Sequence, residues 1–488
     1  MRSLTPLAIA VASLALVACP VGPNYHRPPL DTPEATRGQQ GPADEASLAD
    51  LPWWDVFRDP ALQALVADAI AGSHDLGAAA ARVEETRNRI AVARADLFPQ
   101  VSYEGDATRE RAAIAGLPTN RTFNSFVGTF NLAWEIDVWG RIRRATESAR
   151  AEYLGAEAAR RGVLLTLVSD VAQAYFELLE LDAELEITHT TTASFSDTLD
   201  LFRRRYAGGI GTLLEVSRAE AALTQARADI PELERQVVAK ENQISTLLGH
   251  LPGDVARGAP LGREGLLPVV PVGLPSQLLE RRPDVVEVEQ SVVAANADVG
   301  VAVANFFPRL GLTTFYGGQS SELENLVKSG GNVWAVAGSL AGPLFQGGRL
   351  LGSYQATSAA WDEAVERYRQ TVLQAFAEVS NALVAHDRLA RVLVDREATV
   401  DALQQSVTLS LQRYTDGIAN YFEVLEAQQQ LFPAQLDLAR TRRDELVAVV
   451  TLYRTLGGGW QLDVPAWSTP PAAEPTPPNE PPADTARR

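Results

Sequence analysis

Thiols are nearly missing from this chain. Cys19 is the only cysteine among 488 residues, so no disulfide can form within one molecule. Lysine is almost as scarce: Lys240 and Lys328 are the only two among 43 basic residues. Neither follows a glycine, so no Walker-type phosphate loop can be written. Positive charge is in deficit overall, and a formal net charge of -18 makes nucleic acid a poor partner. The five histidines, His26, His74, His189, His250 and His386, are scattered without metal-ligand spacing. G-x-S-x-G and H-E-x-x-H are absent, and no carboxylate pair is fixed as acid and base. Neither an enzyme nor a metal or cofactor site is expected. No run of 18 or more apolar residues follows Ala18, so no helix is expected to cross a bilayer. Hydrophobic content of 46% at a mean hydropathy near zero fits amphipathic helices instead.

The first 18 residues read as a signal peptide: Arg2, then an apolar stretch from Leu4 to Ala18. Leu16-Val17-Ala18-Cys19 resembles a bacterial lipobox, which would make Cys19 a lipidation site and 19–58 a lipidated N-terminal extension. A chance cysteine in an ordinary signal peptide is the alternative. Acyl chains contribute about 0.8 kcal/mol per buried methylene, so several anchor stably in lipid. Pro20, rather than Asp, after the cysteine resembles sorting to the outer membrane. At the other end, 465–488 is proline-rich and expected to be disordered.

Between these ends the chain repeats itself. Ala93-Arg-Ala-Asp-Leu-Phe-Pro-Gln-Val101 returns as Ala302-Val-Ala-Asn-Phe-Phe-Pro-Arg-Leu310, and Gly140-Arg141 as Gly348-Arg349. Tyr206-Ala-Gly-Gly209-Ile returns as Tyr414-Thr-Asp-Gly417-Ile. The spacing is 208 or 209 residues throughout, which marks one unit built twice, over 59–257 and 258–464.

From Gly140 to about Tyr206, and from Gly348 to Tyr414, no proline interrupts an Ala-, Glu-, Arg- and Leu-rich stretch. Each predicts a helix of roughly 100 Å. Leu164, Leu167, Val171, Ala174, Leu178, Leu181 and Leu185 step alternately by 3 and 4, and Val372 to Leu393 repeat that seam with His386 interrupting it. Such a stripe faces a partner helix in a coil. Returning helices are expected at 212–249 and 420–457, kinked at Pro231 and Pro433. One earlier helix per repeat, 60–96 and 276–304, stops at Phe98-Pro99 or Phe307-Pro308 and passes into a strand.

Phe126, Phe130, Leu132, Trp134 and Ile136 share one parity, with Ser125, Thr129, Asn131 and Glu135 on the other. About ten residues of alternation suffice to cross a bilayer as a tilted strand. Trp334, Val336 and Leu340 keep the same parity, and partner strands precede both, with Val101 and Tyr103 marking the first. Four strands cannot close a barrel around polar side chains, and open edges are not viable in lipid, so several chains would have to pool them. A soluble sheet with one buried face is the alternative.

Cys19-Pro-Val-Gly-Pro-Asn-Tyr-His-Arg-Pro28, Trp53-Trp54-Asp-Val-Phe57, Trp134-Glu-Ile-Asp-Val-Trp-Gly-Arg141, Arg281-Arg-Pro-Asp-Val285 and Pro343-Leu-Phe-Gln-Gly-Gly-Arg349 together resemble the TolC-like outer-membrane factors of tripartite efflux pumps, in their lipoprotein branch. The resemblance runs from Cys19 to about Trp460. It implies a mixed α and β fold in a homotrimer, whose twelve strands form a β-barrel in the outer membrane, continued by long coiled helices as a periplasmic α-barrel. It also implies a passive exit duct, with a periplasmic adaptor and an inner-membrane efflux pump of the resistance–nodulation–division type as partners. A duct for type I protein secretion, or a periplasmic adaptor lipoprotein, are the alternatives.

In this family the tunnel narrows at the periplasmic tip. One branch has a Tyr three before the turn glycine and two carboxylates six and nine after it. Tyr414, Gly417, Glu423 and Glu426 match, with Glu for Asp, and Glu215 matches the carboxylate of the first repeat. Ala419 stands where that branch has Arg. Tyr414, Glu423, Glu426 and Glu215 are thereby implied as a periplasmic gate, and the turns at Tyr206, Gly209 and Gly417 as adaptor contacts. A ring of such carboxylates in a narrow neck would favour cations.

Overall fold

The computed structural model describes residues 20–30, 36–39, 47–112, 121–261 and 278–459. Cys19, the leader, Trp460 and the proline-rich tail lie outside these described residues.

Where no proline or glycine breaks the helical pattern, the helices run long. Both repeats contribute a 67-residue helix, α3 (Arg141–Ala207) and α6 (Arg349–Thr415), each followed by a 35-residue return, α4 (Leu213–Leu247) and α7 (Tyr421–Thr455). The returns continue through Pro231 and Pro433. α3 holds an 18-residue window apolar enough to span a bilayer by composition, but 67% of that window is buried inside the protein. Its apolar residues already have protein neighbours.

The earlier helices are each split in two. The expected helix over 60–96 is α1 (Pro60–Gly72) and α2 (His74–Ala95), with Ser73 extended at ψ 120° between them. Backbone contact enforces the break, because a Cβ on Gly72 would overlap the carbonyl of Leu248. In the second repeat a short turn at Leu278–Arg281 precedes α5 (Pro283–Ala304), and Pro283 at its first turn allows no helical hydrogen bond backwards.

Among the described residues, four antiparallel strands follow Phe-Pro in pairs: β1 (Gln100–Ala112), β2 (Arg121–Ile136), β3 (Arg309–Ser320) and β4 (Asn332–Ala341). They lie side by side in chain order, so β1 and β4 are the edges of the sheet.

Packing separates the chain into two compact units, each drawn from both repeats. The first comprises Met1–Glu34, Asp75–Val163 and Pro275–Ala377; the second comprises Ala35–His74, Leu164–Leu274 and Glu378–Arg488. The first unit holds the sheet and a core in which Val285 and Val292 of α5 meet Val365, Tyr368 and Val372 of α6. A strap, residues 20–30, is bound to it. Val21 N–H donates to Trp139 O at 3.0 Å, Arg144 Nη2 to Asn24 Oδ1 at 2.8 Å, and Asn296 Nδ2 to Pro23 O at 3.1 Å. Gly22, at φ +94°, sits so close to Gly300 that a Cβ would come within 2.6 Å of its Cα. The strap closes on Glu289, which accepts from Tyr25 Oη at 2.9 Å and from Arg27 Nε and Nη2 at 2.7 Å each.

The second unit is helical. Trp53 is fully buried, and Phe57 packs edge-on to Phe176 at 6.3 Å and to Tyr453 at 6.2 Å. Tyr453 Oη donates to Leu51 O at 3.1 Å. The Trp-Trp-Asp-Val-Phe motif is thus core material, which pins the 47–57 segment to the helices.

Candidate functional site

Three places in the chain carry features that packing alone does not require: the helix turns, a belt of charges among the helices, and the two faces of the sheet.

The turns are built alike. Gly209 and Gly417 take φ +76° and +74°, the left-handed conformation that ends a helix cheaply only with glycine. Ile210 N–H reaches back to Arg205 O at 3.1 Å and Ile418 N–H to Arg413 O at 2.9 Å. The returns start differently. Thr212 and Glu215 form a reciprocal capping box on α4, whereas Asn420 caps α7 through Phe422 N–H. Glu215 is therefore occupied locally: its carboxylate accepts from Thr212 N–H at 2.7 Å and from Thr212 Oγ1 at 3.0 Å.

The other implied gate residues are partly brought together. Glu423 lies 3.7 Å from Arg413 across the turn, both about half exposed. Such a pair is worth roughly 0–1 kcal/mol. Glu426 is exposed and accepts from Gln430 at 3.4 Å. Tyr414 is buried instead, against Phe202 at 6.3 Å and Tyr421 at 5.7 Å, with the Arg205 guanidinium 5.0 Å over its ring. Burial pushes the phenols of both Tyr414 and Tyr421 up, away from ionisation. Its repeat counterpart Tyr206 is 49% exposed. Sequence reasoning missed Phe202 and Tyr421. Both are aromatics near the turns, but their packing on Tyr414 is a contact between helices that residue order does not show.

Above the turns a ladder of ion pairs laces the four helices. Lys240 on α4 meets Glu177 on α3 at 2.7 Å. Glu184 and Glu180, both almost fully buried on α3, meet Arg440 at 2.7 Å and Arg443 at 3.1 Å on α7. From α7 the ladder continues to α6 through Asp437–Arg396 and Arg442–Glu397, each at 2.9 Å. Burial pushes the Glu180 carboxyl up, with the arginines opposing it. Burial also works to raise Glu177, but hydrogen bonds from Lys240 and Gln173 hold it below the usual range.

In the sheet, directly paired residues form an aromatic row across all four strands: Tyr103, Phe130, Tyr316 and Trp334. Each is exposed, by 84%, 66%, 61% and 70% in that order. The opposite face carries Ser102, Glu104, Asp106, Thr129, Asn131 and Gln319 alongside Val127, Phe315 and Val333, and a recess of about 620 Å³ lies against Glu104, Thr129, Asn131 and Gln319. A soluble sheet would hide the aromatic face against a core; here it lies open, while the polar face is the hollow one. Sheets polar inside and apolar outside suit lipid.

The family description "Outer membrane efflux protein" matches residues 65–250 and, a second time, 274–458. The chain is 34% identical over 464 residues to a probable efflux pump outer membrane protein, TtgC, of Pseudomonas putida, covering 93% of this chain and 95% of that one. Among solved structures, the outer-membrane channel OprN superposes with a TM-score of 0.85 at 29% identity, covering 91% of this chain and all of that one. The open state of the MtrE outer membrane channel of Neisseria gonorrhoeae gives 0.82 at 27% identity, covering 91% and 99%.

Proposed function

Because this chain belongs to the outer membrane efflux protein family, we propose that it works as one of three identical staves of a passive exit duct. The chain is an outer-membrane channel for efflux. The finer reading adds three parts to that: how the wall closes, how it is anchored, and how it opens.

The observation that carries the trimer is the open aromatic row backed by a polar, hollow face on a sheet with two free edges. In lipid every backbone group needs a partner, so the four strands close only by joining further copies. Three copies give twelve strands. The duct performs no reaction and needs no cofactor; energy comes from an inner-membrane efflux pump, reached through a periplasmic adaptor.

Anchoring is by acylation of Cys19 in outer-membrane lipid. The strap supports it, because Val21 is hydrogen-bonded at Trp139, where β2 passes into α3. The second residue after the lipidated cysteine is therefore held at the end of a membrane strand, where acyl chains can enter the leaflet.

Opening takes place at the tips. Ile210, Leu213, Leu214, Ile418 and Phe422 stand exposed around the turns, an apolar rim suited to an adaptor contacting Tyr206, Gly209 and Gly417. Tyr414, Glu423, Glu426 and Glu215 form the gate: Tyr414 locks the two hairpins together, and the carboxylates line the neck. In planar bilayers, Tyr414→Ala and Glu423→Ala are expected to raise single-channel conductance. Glu215→Gln, which keeps the capping box and removes the charge, is expected to lower cation preference. Unchanged conductance and selectivity in all three would remove these residues from the gate. Deleting the gene should sensitise cells in a susceptibility panel, with wild type restoring resistance and Cys19→Ala restoring it only partly.

A further inference from the structure

Charge on β1 is sorted by face. Glu104, Asp106 and Glu110 share the polar face, whereas Arg109 and Arg111 share the face of Tyr103. Both arginines are exposed, and the residues directly opposite them on β2 are Asn124 and Thr122, so no carboxylate meets either across the pair. Their level follows from strand length. A tilted strand crosses a bilayer in about 9–11 residues, and β1 begins at Gln100, directly after Phe98-Pro99. Arg109 and Arg111 therefore stand at the bilayer boundary remote from the helices, where lipid headgroups lie. The other hairpin marks the same boundary. β3 begins at Arg309, which brings Gly318 to that level too. Gly128 and Gly318 pair directly, two residues beyond Phe130 and Tyr316, and so lie on the aromatic face. The segment between β3 and β4 folds back over them: a Cβ on Gly318 would overlap the Leu326 carbonyl oxygen, and one on Gly128 would stand 3.5 Å from Leu326 Cδ2. Leu323 and Val327 of that segment remain 63% and 92% exposed.

We propose that this outward rim binds a phosphorylated lipid of the outer leaflet, with Arg109 and Arg111 holding its phosphate groups and Leu323 and Val327 lying along its acyl chains. This rests on the reading of the sheet as a lipid-facing wall and adds a ligand at its outer edge. Guanidinium groups donate paired hydrogen bonds that match phosphate oxygens. Two residues apart on one face, the two arginines have Cα atoms about 7 Å apart along the strand, close enough for both to reach one headgroup. The chain as a whole carries a net charge of -18, so an anionic lipid is drawn to it only where cations face outward without a carboxylate beside them. Lys328 has no part in this, because its Nζ already donates to Asn325 Oδ1 at 2.7 Å and lies 3.5 Å from Glu324.

Full-length protein in mild detergent, titrated with bisphosphorylated lipid A and followed by native mass spectrometry, tests the rim. An arginine beside an anionic lipid contributes about a factor of five in affinity, so Arg109→Gln with Arg111→Gln is expected to bind about 30-fold more weakly, and each single variant about fivefold. Arg109→Lys with Arg111→Lys is expected to keep most of the affinity. Glu110→Gln, on the polar face of the same strand, is expected to leave it unchanged. Dephosphorylated lipid A is expected to bind wild type and the double glutamine variant alike, and Leu323→Ser with Val327→Ser to weaken both lipids by the same factor. Wild-type affinity in the glutamine variants, no preference of the wild type for the phosphorylated lipid, or displacement of that lipid by inorganic phosphate alone overturns the proposal. Reconstitution into phosphatidylcholine vesicles separates it from the reading beneath it. Protein that inserts and conducts yet fails the lipid titration overturns the rim alone, whereas protein that does not insert overturns the membrane wall itself.

Discussion

Removing Arg27 should loosen the strap far more than removing its partner Glu289. Glu289 is 7% exposed and accepts three hydrogen bonds, two of them the parallel pair from Arg27 at 2.7 Å. Arg27→Met would leave a buried carboxylate with Tyr25 alone. Breaking a fully buried pair costs about 3–5 kcal/mol. Because the Arg27 side chain is 45% exposed, water can reach the site, and we expect about 2 kcal/mol. Glu289→Gln strands no charge in the interior and leaves an amide oxygen for Tyr25 and Arg27, so it should cost about 1 kcal/mol or less. Hydrogen exchange on the trimer in detergent would read this locally. With Arg27→Met, the Val21 amide, bonded to Trp139 O at 3.0 Å, should exchange about 30-fold faster, while helix amides far from the strap stay unchanged. Combining both substitutions should recover part of the loss, since no charge is then left unpaired. Equal effects from the two single variants, or exchange unaltered by Arg27→Met, would refute the reasoning.

Phe202→Ala should destabilise the tip by about 3–5 kcal/mol in thermal unfolding, because its ring is fully buried between Tyr414 and Tyr421, whereas Tyr206→Ala should stay within about 0.5 kcal/mol. Gly417→Ala should cost about 1 kcal/mol or slightly more although space is open there, since φ is +74°; an unchanged melting temperature would count against the turn geometry. Glu177 is held below the usual carboxylate range, so its contribution is full above its unfolded pKa and is lost as pH falls through the folded one. Lys240→Gln should therefore lower stability near neutrality and less so in acid, and a constant difference across an acid titration would contradict the assignment.

Much of the architecture was legible in residue order. Alternation in β1 and β2, the uninterrupted helical stretches before each turn, and the glycines at 209 and 417 report local backbone preferences; the long helices and turns are realised within a residue or two, while β1 and β2 each extend four residues beyond the alternation, towards the segment that joins them. The break at Ser73 was not legible. It depends on Gly72 meeting Leu248, a contact between segments some 175 residues apart, and no local pattern encodes it. The tip divided along the same line. The family resemblance implied Tyr414, Glu215 and Glu423, but which was buried, capped or solvated depended on neighbours in other helices.

What the amino-acid order determined by itself was the set of parts: two copies of a helix, a strand pair and a helical hairpin, with the two faces of β1, β2 and β4 marked by parity and those of β3 less cleanly. What only the tertiary structure decided was their use. It laid the four strands side by side with both edges free, buried Glu180 and Glu184 where arginines of another helix reach them, and gave Glu215 to its own helix cap. Those outcomes follow from contacts between distant segments, whose energies depend on which groups lose water together, and that is settled only when the chain has packed.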